Sequence, residues 1–162
     1  MPEKKTRAAA AKDKKEGKAS STQAGEFVHE EIEHVREGDH GARSTKQAIA
    51  IGLSKARRAG VKVPASKTAS KSTRKKAKQD EAASHDRHKP SSKRSAATTK
   101  ALKKEGHEAV SKSALSSHAR KAASKRTAAS RSEAAKKAAH TKSASGRSAA
   151  AKKAAKTRAG DK

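Results

Sequence analysis

Nine of the chain's twelve leucine, isoleucine, valine and phenylalanine residues fall between Phe27 and Val63. The rest of the 162 residues hold only Leu102, Val110 and Leu115 from which to build a core. A strongly charged chain so poor in these residues is expected to stay largely disordered, because it cannot bury enough apolar surface to offset the entropy lost on ordering. The expected fold class is therefore mostly disordered with α-helical segments. A small two-helix hairpin at 22–64 would stand between a flexible charged arm at 1–21 and a long basic Ala/Lys/Ser-rich tail at 65–162.

Within 22–37, Ala24, Phe27, Val28, Ile32 and Val35 recur at three- and four-residue steps, the stripe of an amphipathic helix. Glu26, Glu30, Glu31, Glu33 and Glu37 read as its acidic, solvated outer face, and Gly38 is placed to stop it in the left-handed conformation. A basic helix is expected over about 45–59. Ser44 and Gln47 have capping-box spacing, Arg57 and Arg58 suit the negative end of the helix dipole, Gly60 serves as the C-terminal cap, and Pro64 prevents resumption. Ile49, Leu53 and Ala56 share one face of it. The expected hairpin core is Phe27, Val28, Ile32, Val35, Ile49, Leu53 and Ala56. So small a core implies a marginal monomer or a homodimer that buries Phe27 and Ile51.

Charge dominates what remains. The chain has 42 Lys and Arg against 16 Asp and Glu, and its first 39 residues hold nine of the acids. Residues 65–162 carry 28 basic and seven acidic side chains, a field that repels itself and calls for a polyanion. "RSEAAKKAAHTK" at 131–142 returns as "RSAAAKKAAKTR" at 147–158, a 16-residue repeat with Lys152, Lys153 and Lys156 on one helical stripe. Ser130 and Glu133 have capping-box spacing, and Gly146 and Gly160 bracket the second copy as breaks, so the tail is expected to hold only nascent helices. The residues expected to meet phosphates are Arg74, Lys75, Lys76, Lys78, Lys103, Lys104, Arg120, Lys121, Lys125, Arg126, Arg131, Lys136, Lys137, Arg147, Lys152, Lys153, Lys156 and Arg158. With Phe27 as the only aromatic residue, base stacking on single strands is disfavoured and duplex DNA is the expected partner, with RNA as the alternative.

Other chemistries find little support. There is no cysteine, hence no disulfide or thiolate metal site. His29, His34 and His40 do not share a helical face, and His85 and His88 flank Asp86 without a third ligand, so no metal site is expected. No P-loop, dinucleotide fingerprint or scaffolded triad occurs, and neither an enzyme nor a cofactor is expected. The longest purely apolar run, Ala8–Ala11, is too short for a membrane span.

The tail, with "RSEAAKKAA" and "RSAAAKKAAKT", resembles the bacterial histone H1-like proteins. That resemblance implies sequence-independent DNA binding and compaction on the nucleoid, in the cytoplasm. "GEFVHEEIEHVREGDHGARSTKQAIAIGLSKARRAG", residues 25–60, resembles a small bacterial domain of unknown function marked by an "EF" start and a "KQAIAIALSEARKAG"-type helix. Gly52 stands here where that helix has alanine, and Lys55 where it has glutamate. The second resemblance implies no activity. It leaves open that the hairpin is a protein-interaction module which the tail tethers to RNA, ribosome or nucleoid.

Overall fold

Capping chemistry sets the ends of the two central helices. The computed structural model describes residues 2–66, 69–85, 91–141 and 144–160. Helix α2 spans Ser20–Glu37 and stops where Gly38 turns to φ 87°, a left-handed conformation that glycine adopts without strain. After a short turn, α3 spans Thr45–Arg58. Ser44 Oγ accepts the Gln47 amide at 3.2 Å, while Gln47 Oε1 reaches one residue further back than in a capping box and accepts the Arg43 amide at 2.9 Å. Beyond α3, Gly60 at φ 89° reverses the chain and Arg57 Nε donates to the Val63 carbonyl at 2.8 Å. The two helices lie so close that a Cβ on Gly52 would stand 2.7 Å from Val28 Cα, a physical reason for glycine at this position.

Two apolar clusters lie along this seam. In the first, Phe27, Ala24 and Ala56 meet Ala10 and Val61, with Leu53 and Val63 packed against them. In the second, Val35, Ala42 and Ala48 meet Val110, with Ile32 and Ala109 alongside. Of the expected core, Phe27, Val35 and Ala56 are buried, and Val28, Ile32, Ile49 and Leu53 are half-buried.

The expectation of a mostly disordered chain around a two-helix hairpin is overturned: the described residues form eight α-helices and a 3-10 turn, and include no strand. They divide into two compact units, Met1–Ser116 and Ser117–Lys162. In the first unit three further segments complete the hairpin. Helix α1, Lys4–Lys15, occupies the stretch expected to be a flexible arm and buries Thr6, Ala10 and Asp13. Phe27 is thereby covered by its own chain, at 1% exposure, and is not left over for a dimer partner. Hydrogen bonds to Asp13 and then Glu16, at 2.6 and 2.8 Å, hold the Lys18 ammonium above the ordinary lysine range and tie down the connection to α2. Helix α4, Lys71–Ala82, is capped by Ser70 Oγ accepting the Thr73 amide, and turns the buried Ala77 and Asp80 toward α3. After α5, Ser92–Leu102, the backbone returns to the α2–α3 turn. There Gly41 N–H donates to Leu102 O at 2.9 Å and Ala42 N–H to Gly106 O at 3.0 Å. Arg36 and Thr45 then donate to the carbonyls of Val110 and Ala109 beside the 3-10 turn Glu108–Val110.

The second unit holds most of α6 (Lys112–Ser124) together with α7 (Ala128–Thr141) and α8 (Ala144–Gly160). Alanine has the highest intrinsic helix propensity, and like-charge neighbours one turn apart subtract only some tenths of a kcal/mol per pair. Propensity therefore prevails over repulsion. The cap of α7 is Thr127, whose Oγ1 accepts the Ser130 amide at 3.1 Å, rather than Ser130 itself. Gly146 lies inside α8 and does not break it, so the copy of the repeat that begins at Arg147 is carried on one helix, as residues 131–141 of the earlier copy are on α7.

Candidate nucleic-acid interface

Helix α4 projects Arg74, Lys75 and Lys78 as exposed cations, and Lys103 and Lys104 follow α5 in the same state. Lys76 is committed elsewhere. Its Nζ lies 2.9 Å from Asp80 Oδ1, which Arg58 Nε also meets at 3.1 Å, while Ser54 Oγ donates to Oδ2 at 2.7 Å. Burial pushes the Asp80 carboxyl up, but the hydrogen bonds from Lys76, Ser54 and Arg58 together outweigh it and hold the group below its ordinary value of 3.8. Asp80 thus docks α4 on α3 through Ser54 and Arg58, while Lys76, one turn away on α4 itself, supports the carboxylate from its own helix.

The sign of the pH dependence follows. A carboxyl whose value is depressed by folding stabilises the fold above its unfolded value, and that stabilisation is lost as pH falls through the lower folded value. Asp80→Asn keeps the shape and removes the charge. It is expected to lower the unfolding free energy by about 2 kcal/mol at neutral pH and to flatten the loss of stability below 3.8. Urea melts across the acid range check this; an unchanged acid limb would count against the docking role.

In the second unit Arg120 and Lys121 lie on α6, Arg131, Lys136 and Lys137 on α7, and Arg147, Lys152, Lys153 and Lys156 on α8, all of them exposed. Arg158 belongs to α8, but its side chain lies outside the described residues. Lys125 and Arg126 occupy the α6–α7 connection, where Arg126 Nη2 donates to Ser130 O at 3.1 Å and Arg131 Nη1 donates to Arg126 O at 3.2 Å. These two guanidiniums brace the turn while remaining open to solvent. Lys136 pairs with Glu133 at 3.1 Å, an exposed pair of little energetic weight. Lys152, Lys153 and Lys156 form the stripe that their three- and four-residue spacing implies. The sequence of this unit contains no Phe, Tyr or Trp on which a base could stack. The one aromatic residue, Phe27, is buried in the first unit.

The acidic face of α2 departs from its sequence reading. Glu30 and Glu31, expected to be solvated, are 4% and 0% exposed, because α3 supplies Lys55 and the segment before α1 supplies Glu3. Lys55 Nζ lies 2.6 Å from Glu31 Oε2 and 3.8 Å from Glu30 Oε1, and the Glu3 amide donates to Glu30. His40 Nε2 stands 3.4 Å from Glu31 Oε1, and His34 Nε2 stands 3.3 Å from Glu3 Oε1. Glu33 stays exposed beside His29. A sequence signal for this cluster existed in the three-residue spacing of Glu31 and His34 followed by the reversal at Gly38. His85 is exposed, while Asp86 and His88 lie outside the described residues.

Among the described residues no helix is long and apolar enough to cross a membrane. Residues 4–67 match the model of a family of unknown function, DUF6496, so the segment from α1 through α3 is similar to that family. No curated protein and no solved structure matches the chain, and the histone H1-like resemblance of 65–162 rests on composition alone.

Proposed function

We propose that this protein binds duplex DNA without sequence choice and compacts it, acting in the manner of a histone H1-like nucleoid-associated protein in the bacterial cytoplasm. The observation that carries the reading is the charge of the second unit. Residues 117–162 contain 14 Lys and Arg, opposed only by Glu133 and Asp161, and most of the described ones project from helices with almost no apolar surface to hide. Helices of this kind gain little by packing on one another. They gain much by releasing counterions from a phosphate lattice. The exposed cations of α4 add a second point of attachment in the first unit, and two attachment points on one chain are what bridging of duplex segments requires.

Gel-shift titrations with unrelated duplexes test this. Affinities within a few-fold of one another are expected, with log K falling against log salt at a slope near −9 if about ten cations engage phosphates. Tight binding to a single sequence that persists in high salt would overturn the proposal, as would indifference to plasmid at near-physiological salt.

A further inference from the structure

Glu31, His34 and His40 each offer one donor atom, and the three atoms lie within 4.8 Å of one another. The local fold produces this grouping. Glu31 and His34 are one turn apart on α2, and the left-handed Gly38 folds the chain back so that His40 returns over the same face. Glu31 is fully buried, and neither of its carboxylate oxygens makes a hydrogen bond of good geometry, although the Lys55 ammonium and the His40 ring lie within ion-pair distance. A buried carboxylate left in that condition is costly, so it points to a further partner.

Two other observations agree. Glu30 and Glu31 share the single ammonium of Lys55 and the Glu3 carboxylate lies against His34, which leaves negative charge in excess by two when both imidazoles are neutral. The Nδ1 of His40 lies 3.2 Å from the Gly41 carbonyl oxygen. Donation there leaves Nε2 as a lone pair directed at Glu31, the tautomer a metal requires, held by a backbone oxygen as metal-binding histidines commonly are.

We propose that Glu31, His34 and His40 bind one divalent transition-metal ion of the zinc class. Two imidazoles and one carboxylate suit such an ion and disfavour Ca²⁺ and Mg²⁺, which take oxygen donors. Glu31 Oε1, the oxygen facing His40, is the ligating atom. Oε2 stays with Lys55, which orients the carboxylate from behind. The His34 and His40 side chains are only 19% and 15% exposed, so the ion serves to pin the α2–α3 turn onto α2. It is a fastening for the first unit, separate from the DNA-binding surface.

The test is calorimetric titration of the full-length, chelator-stripped protein with zinc sulfate. One site of micromolar or tighter affinity is expected, weakened at least about 100-fold in Glu31→Gln and in His40→Ala. His29→Ala, on the same helix but outside the cluster, should retain wild-type affinity. Because loss of a buried carboxylate can unfold the unit, His34→Ala is read separately with Co²⁺. The wild type should show the visible absorption of a low-coordinate cobalt site, and the variant should lose it while keeping its helical circular dichroism. Zinc binding of wild-type strength in His34→Ala or in His40→Ala, or no stoichiometric site in the wild type, overturns the proposal.

Discussion

Replacing Lys121, Lys125, Lys152, Lys153 and Lys156 together by glutamine is expected to flatten the salt dependence of DNA binding by about 4.5 units, at roughly 0.9 for each phosphate no longer neutralised. Between 50 and 200 mM salt the wild type should therefore lose roughly 500-fold more affinity than the variant. All five side chains are exposed, and glutamine has a helix propensity close to that of lysine, so α6 and α8 keep their form. The weakening should be the same on every duplex tested, because ion pairs with phosphates carry no base information. Parallel log–log plots for wild type and variant would show that these cations do not touch DNA.

The second large effect concerns the first unit. Gly41→Ala places a Cβ onto the Glu105 carbonyl, a backbone group with little room to retreat. Relieving the overlap breaks the hydrogen bonds from Gly41 to Leu102 and from Ala42 to Gly106 and lifts Val110, 1% exposed, off its cluster. Two backbone hydrogen bonds at about 1 kcal/mol each, with part of a buried valine at ~1.5–3 kcal/mol, predict a loss of about 3 kcal/mol. Denaturant unfolding measures it, and amide exchange at Ala42 should accelerate in step. Wild-type stability in Gly41→Ala would show that the 102–110 segment contributes nothing to the fold.

These expectations also mark where the sequence was legible. Helices α2 and α3 are written in large apolar residues at helical spacing and in capping signals, and Gly38, Ser44 and Gly60 act where such signals should act. Helices α1 and α4 use another vocabulary. Each docks through alanine and one buried acid, Ala10 with Asp13 and Ala77 with Asp80, and alanine in an alanine-rich chain raises no periodic signal above its background. The spacing of Glu31 and His34 before Gly38 hinted at their proximity, but the burial of Glu30 and Glu31 was not legible, for a related reason. A glutamate is expected in water unless its cationic partner is known, and Lys55 lies 24 residues from Glu31 in the chain. The basic surface needed no such pairing to be seen, because exposure is the ordinary state of lysine and arginine. The alanines that deny those segments a core were expected to give only nascent helices, yet their helix propensity carries full ones.

The return of residues 102–110 to the α2–α3 turn has a consequence for biosynthesis. At about 5–20 residues per second, the ribosome needs roughly 3–10 s to travel from the end of α3 to Val110. Throughout that interval the nascent hairpin waits with Val35, Ala42 and Ala48 uncovered. Closure therefore comes late in elongation, and a pause or a truncated product short of codon 110 would leave that seam open to chaperones and proteases.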